Sequence, residues 1–334
     1  MVTPANAGAA LLLLIPYLLV AFAPATAARW VERMPLVARL LAPAALCFPY
    51  LLVSGAAGTF RWGWFALYTI LPVAIAALLC RAGQVDPARA DEEIARASSS
   101  DPSHPCANCA QGCDTQGASE SVSGSRQRGS WRDYVILAIL GLSVDLRWFE
   151  RAWPAHLAIF NKILLLDAGI YGFVLVRRLE GTGFDLKLRL RDLGIGIREV
   201  CFYTPIALAL GLWLGFLHAH AVWPRVGAMA AAWFFTFFFI AVPEELFFRG
   251  WVQNLLEERI GRYPALCATA VLFGLAHFNK HTRGLAVTSF NWRYVLMAAL
   301  AGVFYGRAWR RNRRVGASAV THATVDSIWS LWLR

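Results

Sequence analysis

Apolar residues in this chain fall into long runs divided by short basic connections. Runs long enough to cross a bilayer lie at about 8–28, 36–54, 62–80, 156–176, 199–220, 226–256, 263–279, 292–306 and 316–333, with a shorter one at Trp131–Asp145. With the shorter run included they make about ten helices. The predicted fold is an all-α polytopic transmembrane bundle of about 8–10 helices, with its chemistry in the C-terminal half. No internal repeat stands out.

One stretch breaks the pattern. Residues 81–130 are rich in serine, glycine and scattered acids and cannot bury a core, so they read as a disordered cytosolic loop. Three units follow: N-terminal helices over 1–80, the loop, and a helical domain over 131–334. The loop carries His104, Cys106, Cys109 and Cys113, of which Cys106-x2-Cys109 is half of a zinc site. The other half-site is missing, so the cluster reads as a dispensable linker. Cys47, Cys80, Cys201 and Cys267 lie in apolar runs and read as small core residues.

Composition agrees with the pattern. The 334 residues are 58% hydrophobic and only 16% charged, with a mean hydropathy of +0.49; soluble domains carry about 25% charged residues. The net charge of +11 does not point to nucleic acid. Arg29, Arg33, Arg177, Arg178, Arg310, Arg311, Arg313 and Arg314 flank apolar runs instead of building one basic surface. With the N-terminus outside, the inner connections hold about 20 Lys/Arg and the outer ones about 8, and the alternation holds along the chain. Met1–Ala28 has no basic n-region and reads as a first membrane helix. Arginine outnumbers lysine and alanine is abundant, which suits a GC-rich bacterial genome and places the protein in a bacterial inner membrane.

Against that background, charges inside the runs carry the functional signal. Phe234–Gly250 reads FFTFFFIAVPEELFFRG. Glu245 and Arg249 are at i,i+4 with the acid first, the favourable order for a structural ion pair. Glu244 is about 100° away around the helix and has no partner of its own. Downstream, Phe273-x3-His277 and His322-x3-Asp326 add polar residues on two further segments. Measured from the basic ends, Glu244 and His277 lie at about 20 Å and His322 and Asp326 at roughly 10–20 Å. Helices that run in alternating directions thus bring these groups to one layer. A buried ion-pair network that pins helices together would account for Glu245 and Arg249 alone; three polar helices meeting in one layer ask for a site. A carboxylate beside an imidazole can hold and deprotonate water, and a second imidazole can donate to an oxyanion. That is a layout for amide hydrolysis.

Glu244-Glu245-x3-Arg249, Phe273-x3-His277 and His322-x3-Asp326, in that order, resemble the three motifs of the CPBP family. The family contains type II CAAX prenyl endopeptidases and bacteriocin-processing or immunity proteins. The resemblance covers roughly 199–333 and implies a glutamic-type intramembrane endopeptidase acting on a membrane-associated peptide. Glu244 and His277 would activate water; His322 and position 326 would form the oxyanion hole; Glu245 and Arg249 would be the supporting pair. Members commonly carry Asn at the last position. Asp326 would then act as a neutral acid that donates as an amide does, or as an anion that holds His322 charged; the first is the expected form, because an anion beside an oxyanion opposes the reaction. No cofactor is expected. The alternative is a divalent metal such as zinc on Glu244, His277 and His322.

Two other classes fit some of these features. A proton-coupled transporter also places acids and histidines at midmembrane, but with paired repeats and broken helices in both halves, which the sequence lacks. A non-catalytic immunity or scaffold protein of the same family would keep the fold and lose a motif residue. Loop charge further predicts that the site opens toward the arginine-rich, cytosolic side.

Overall fold

The computed structural model describes residues 3–82, 129–187, 189–219, 223, 225–278 and 290–333. The His104–Cys113 cluster lies outside them. Among the described residues there is no strand, and eleven helices form one bundle: α1 (Pro4–Phe22), α2 (Pro24–Glu32), α3 (Leu36–Ala56), α4 (Trp62–Ala82), α5 (Trp131–Asp145), α6 (Ala158–Val176), α7 (Leu190–Trp213), α8 (Val226–Ile260), α9 (Arg262–Leu275), α10 (Trp292–Asn312) and α11 (Val315–Ile328, continued by Trp329–Leu333).

Six of these, α1, α3, α4, α6, α7 and α8, are long and apolar enough to cross a membrane. The others are shorter or more polar. α10 ends in Arg310 and Arg311, and α11 is held inside the bundle, where nothing requires it to be apolar toward lipid. The first run stops at Phe22 rather than at residue 28, because Pro24 starts the separate helix α2. α7 begins at Leu190, well before the predicted residue 199. Asp192 accepts the Arg189 backbone N–H at 3.1 Å and so caps the first turn. The same helix stops at Trp213, short of residue 220, just before Gly215 with φ of +59°. α5 is capped by Ser130 and Asp133, and Tyr134 near its start donates to the Leu255 carbonyl at 3.2 Å.

One apolar core runs from Tyr17 and Val20 of α1 through Leu165 and Phe173 of α6 to Phe237 and Trp251 of α8 and Val320 of α11. α11 is the central post. Every residue from Val315 to Ala323 is buried, and small side chains (Gly316, Ala317, Ser318, Ala319) let α7, α8 and α10 close around it. α9 and α10 approach through glycines. A Cβ on Gly274 would lie 2.5 Å from the Val295 carbonyl oxygen, and one on Gly302 would lie 3.1 Å from Ala270.

α8 is not a uniform α-helix. Wide π-type turns at Phe237–Ala241 and Leu246–Gln253 bracket Val242–Glu245. Pro243 has no N–H and its ring crowds the preceding turn, so the ladder widens around it. That irregularity sits where the two glutamates enter the bundle.

Candidate active site

Glu245 and Arg249 are both fully buried. Arg249 Nη1 donates to Glu245 Oε1 at 3.1 Å, and Nη2 donates to the Gly302 carbonyl at 2.9 Å. The guanidinium also lies over the Phe273 ring, 4.7 Å from its centroid. Glu245 takes two more partners from α11. His322 Nδ1 lies 2.8 Å from Oε1, and the Ser318 hydroxyl donates to Oε2. The Ser318 hydroxyl is also 3.0 Å from the Tyr305 carbonyl. The ion pair expected from spacing is therefore the hub of a network joining α8, α10 and α11.

Glu244 is placed differently. Its side chain is 31% exposed, into two cavities, while Oε2 is buried without a hydrogen-bond partner, 3.9 Å from His322 Nε2. The same His322 nitrogen lies 3.5 Å from Asp326 Oδ2. His322 stacks on Tyr305, with centroids 4.6 Å apart and planes 15° apart, and meets the Phe273 ring edge-on. Two aromatic walls fix the plane of the imidazole, so both nitrogens point at carboxylates.

His277 Nδ1 is 2.8 Å from the Phe273 carbonyl oxygen, and its ring stacks on Tyr294. A carbonyl only accepts, so Nδ1 carries the proton, and in the neutral ring the lone pair is on Nε2. The helix therefore fixes the tautomer that a water-activating base requires.

A cavity of about 260 Å³ is lined by Tyr203, Glu244, Phe273, His277, Tyr294, Tyr305, His322 and Asp326. A second, of about 350 Å³, is lined by Leu140, Val144, Lys162, Phe235, Phe247, Trp251, Glu244 and His277. Glu244 and His277 face both and so stand at their junction. Neither cavity extends to the arginine-rich helix ends, against the expectation that the site opens there. The groups predicted to share a layer do meet, but the proposed metal set does not. Among the described residues no three His, Cys, Asp or Glu side chains are grouped to hold an ion, since Nδ1 of His322 is taken by Glu245 and Nδ1 of His277 by a carbonyl.

Sequence reasoning missed Ser318, Tyr305 and Gly302. Ser318 had a signal: it is four residues before His322 and shares its helix face. Nothing in the pattern marked Tyr305 or the carbonyl of Gly302. The second cavity was also unforeseen, because its walls come from α5 and α6, outside the motif-bearing helices.

Residues 225–328 match the family model described as type II CAAX prenyl endopeptidase Rce1-like, a protease family. No curated protein and no solved structure matches the chain. The matched span holds all three motifs, from Glu244 to Asp326, and leaves out α1–α7. Residues 225–328 are thus a domain of the type II CAAX prenyl endopeptidase Rce1-like family, embedded in an integral membrane helix bundle.

Proposed function

We propose that the chain is an intramembrane endopeptidase that hydrolyses a peptide bond of a membrane-associated substrate, with water activated by Glu244 and His277. The observation that carries this reading is the contrast between two adjacent glutamates. Glu245 is saturated by Arg249, His322 and Ser318, while Glu244 faces both cavities with one oxygen unpartnered. A carboxylate that has lost solvation without gaining a partner is a strong acceptor for the proton of a water.

In the reaction, a water between Glu244 and His277 Nε2 gives its proton to Glu244 while its oxygen bonds to the scissile carbonyl carbon. The oxyanion that forms is met by His322 Nε2–H. On collapse the C–N bond breaks, and the proton on Glu244 passes to the leaving amine. His322 acts as an imidazolium, because Glu244, Glu245 and Asp326 surround it and Arg249 balances only one of them. Asp326 is then the anion that holds His322 charged, 3.5 Å from its Nε2, rather than a neutral donor. No metal is required in this scheme, and the protein is placed in a bacterial inner membrane.

The reading is tested with the purified chain in lipid nanodiscs, incubated with a detergent extract of membrane proteins and scored for new peptide termini by mass spectrometry. Termini produced by the wild type should fall by about a hundredfold or more with Glu244→Gln. Unchanged cleavage by that variant, or no cleavage by the wild type, overturns it.

A further inference from the structure

We infer that the site is loaded from the membrane face opposite the arginine-rich one, so that its substrates are peptide segments presented at the outer, extracytoplasmic leaflet. The inference rests on the peptidase reading for the word substrate, but its geometric part stands without it.

The helices define two ends. At one lie Arg177, Arg259 and Arg262, and the α10–α11 turn with Arg310 to Arg314; by the positive-inside rule this end is cytosolic. Both cavities begin at midmembrane and run away from it. In the first cavity the lining on α11 starts at His322 and ends at Leu333, and on α7 it runs from Tyr203 to beyond Trp213. His322 is about 10 Å from the start of α11, and Leu333 lies at its far end. In the second cavity the α6 lining is confined to Ile159–Leu166, the half remote from Arg177, and Arg147 beyond the end of α5 completes it.

The cytosolic end is filled instead. Trp309 is fully buried there with its indole N–H toward the Thr182 carbonyl. Glu257 pairs with Arg310 at 3.5 Å and with Arg313 at 2.5 Å. Arg314 joins Asp192 and Asp185 at 3.1 and 3.0 Å. A peptide entering from that side would have to break several buried charge pairs, each costly to open. From the other side it follows existing apolar walls to Glu244. The two branches meeting at Glu244 and His277 suit the two halves of one extended chain, with the scissile bond at the junction.

The test uses the full chain with its cysteines replaced, in sealed vesicles, with Lys162→Cys reporting on the second cavity and Thr204→Cys on the first. Neither residue belongs to the proposed machinery. Arg311→Cys marks the arginine-rich face. A membrane-impermeant maleimide is applied to vesicles of each orientation. Lys162→Cys and Thr204→Cys should label from the face opposite to Arg311→Cys, by at least tenfold over the other orientation. Labelling from the same face as Arg311→Cys overturns the inference. If one variant does not fold, the other carries the same readout. Labelling as expected with no peptide cleavage in the nanodisc assay leaves the access route standing and removes the peptidase reading. Cleavage with labelling from the arginine-rich face does the reverse.

Discussion

Glu244 and Glu245 share a side chain and a helix turn, and the bundle separates their roles through neighbours alone. Glu245 holds Arg249, His322 and Ser318, so its loss leaves a buried guanidinium and an imidazole without a counter-charge. Glu245→Gln should lower stability by about 3–5 kcal/mol, read as a depressed midpoint of thermal unfolding in detergent. Glu244→Gln, which breaks no hydrogen bond at Oε2, should leave that midpoint nearly unchanged while abolishing cleavage. Equal midpoints for the two variants would remove the division of roles. Asp326 gives a second comparison. As the anion beside His322 Nε2, its replacement in Asp326→Asn should cut turnover by about tenfold or more at every pH. Activity kept and extended to higher pH would instead support a neutral Asp326 that donates directly.

At the scale of elements, the site depends on how closely α9, α10 and α11 pack. Glycine at 274 is required by the backbone carbonyl of Val295, which cannot move aside as a side chain end would. Gly302 tolerates more, since its nearest neighbour would be 3.1 Å away. Gly274→Ala should therefore destabilise by about 1–3 kcal/mol and Gly302→Ala by less, both measured by thermal unfolding. The reverse order would show that the helices shift apart more easily than this packing implies. This level was only partly legible in the sequence. The i,i+4 spacings placed Glu245 with Arg249 and His322 with Asp326, because such pairs are set within one helix. Tyr305, which stacks on His322 from another helix, had no such signal. Nor did the start of α7, where Asp192 capping outweighed a polar stretch that looked unlike a membrane run.

The whole molecule is asymmetric along the membrane normal, with apolar cavities toward one face and a lattice of ion pairs at the other. Composition revealed the lattice as an orientation signal and nothing more, because the acids that pair with the arginines are far off in sequence. Arg314 is its centre: it bonds Asp192 of α7 and Asp185 of the α6–α7 connection, and donates to the Lys187 carbonyl at 2.8 Å, immediately before α11 begins. That arrangement fixes the depth of α11, and with it His322. It also has a pH signature. Partial burial pushes the Asp185 carboxyl up, but the Lys187 backbone N–H and the Arg314 and Arg189 guanidinia together hold it below the usual carboxylate range. A carboxyl depressed in the folded state adds stability above its unfolded pKa, about 3.9, and loses it as pH falls through the lower folded value. Thermal midpoints in detergent, followed from pH 6 to pH 3, should fall for the wild type most steeply below about pH 4. Arg314→Gln should lower the midpoint at pH 6 and flatten the fall, because the variant has less pairing left for acid to remove. An equal fall in both proteins would show that Arg314 is not what couples Asp185 to the fold, and the fixed depth of His322 would then need another cause.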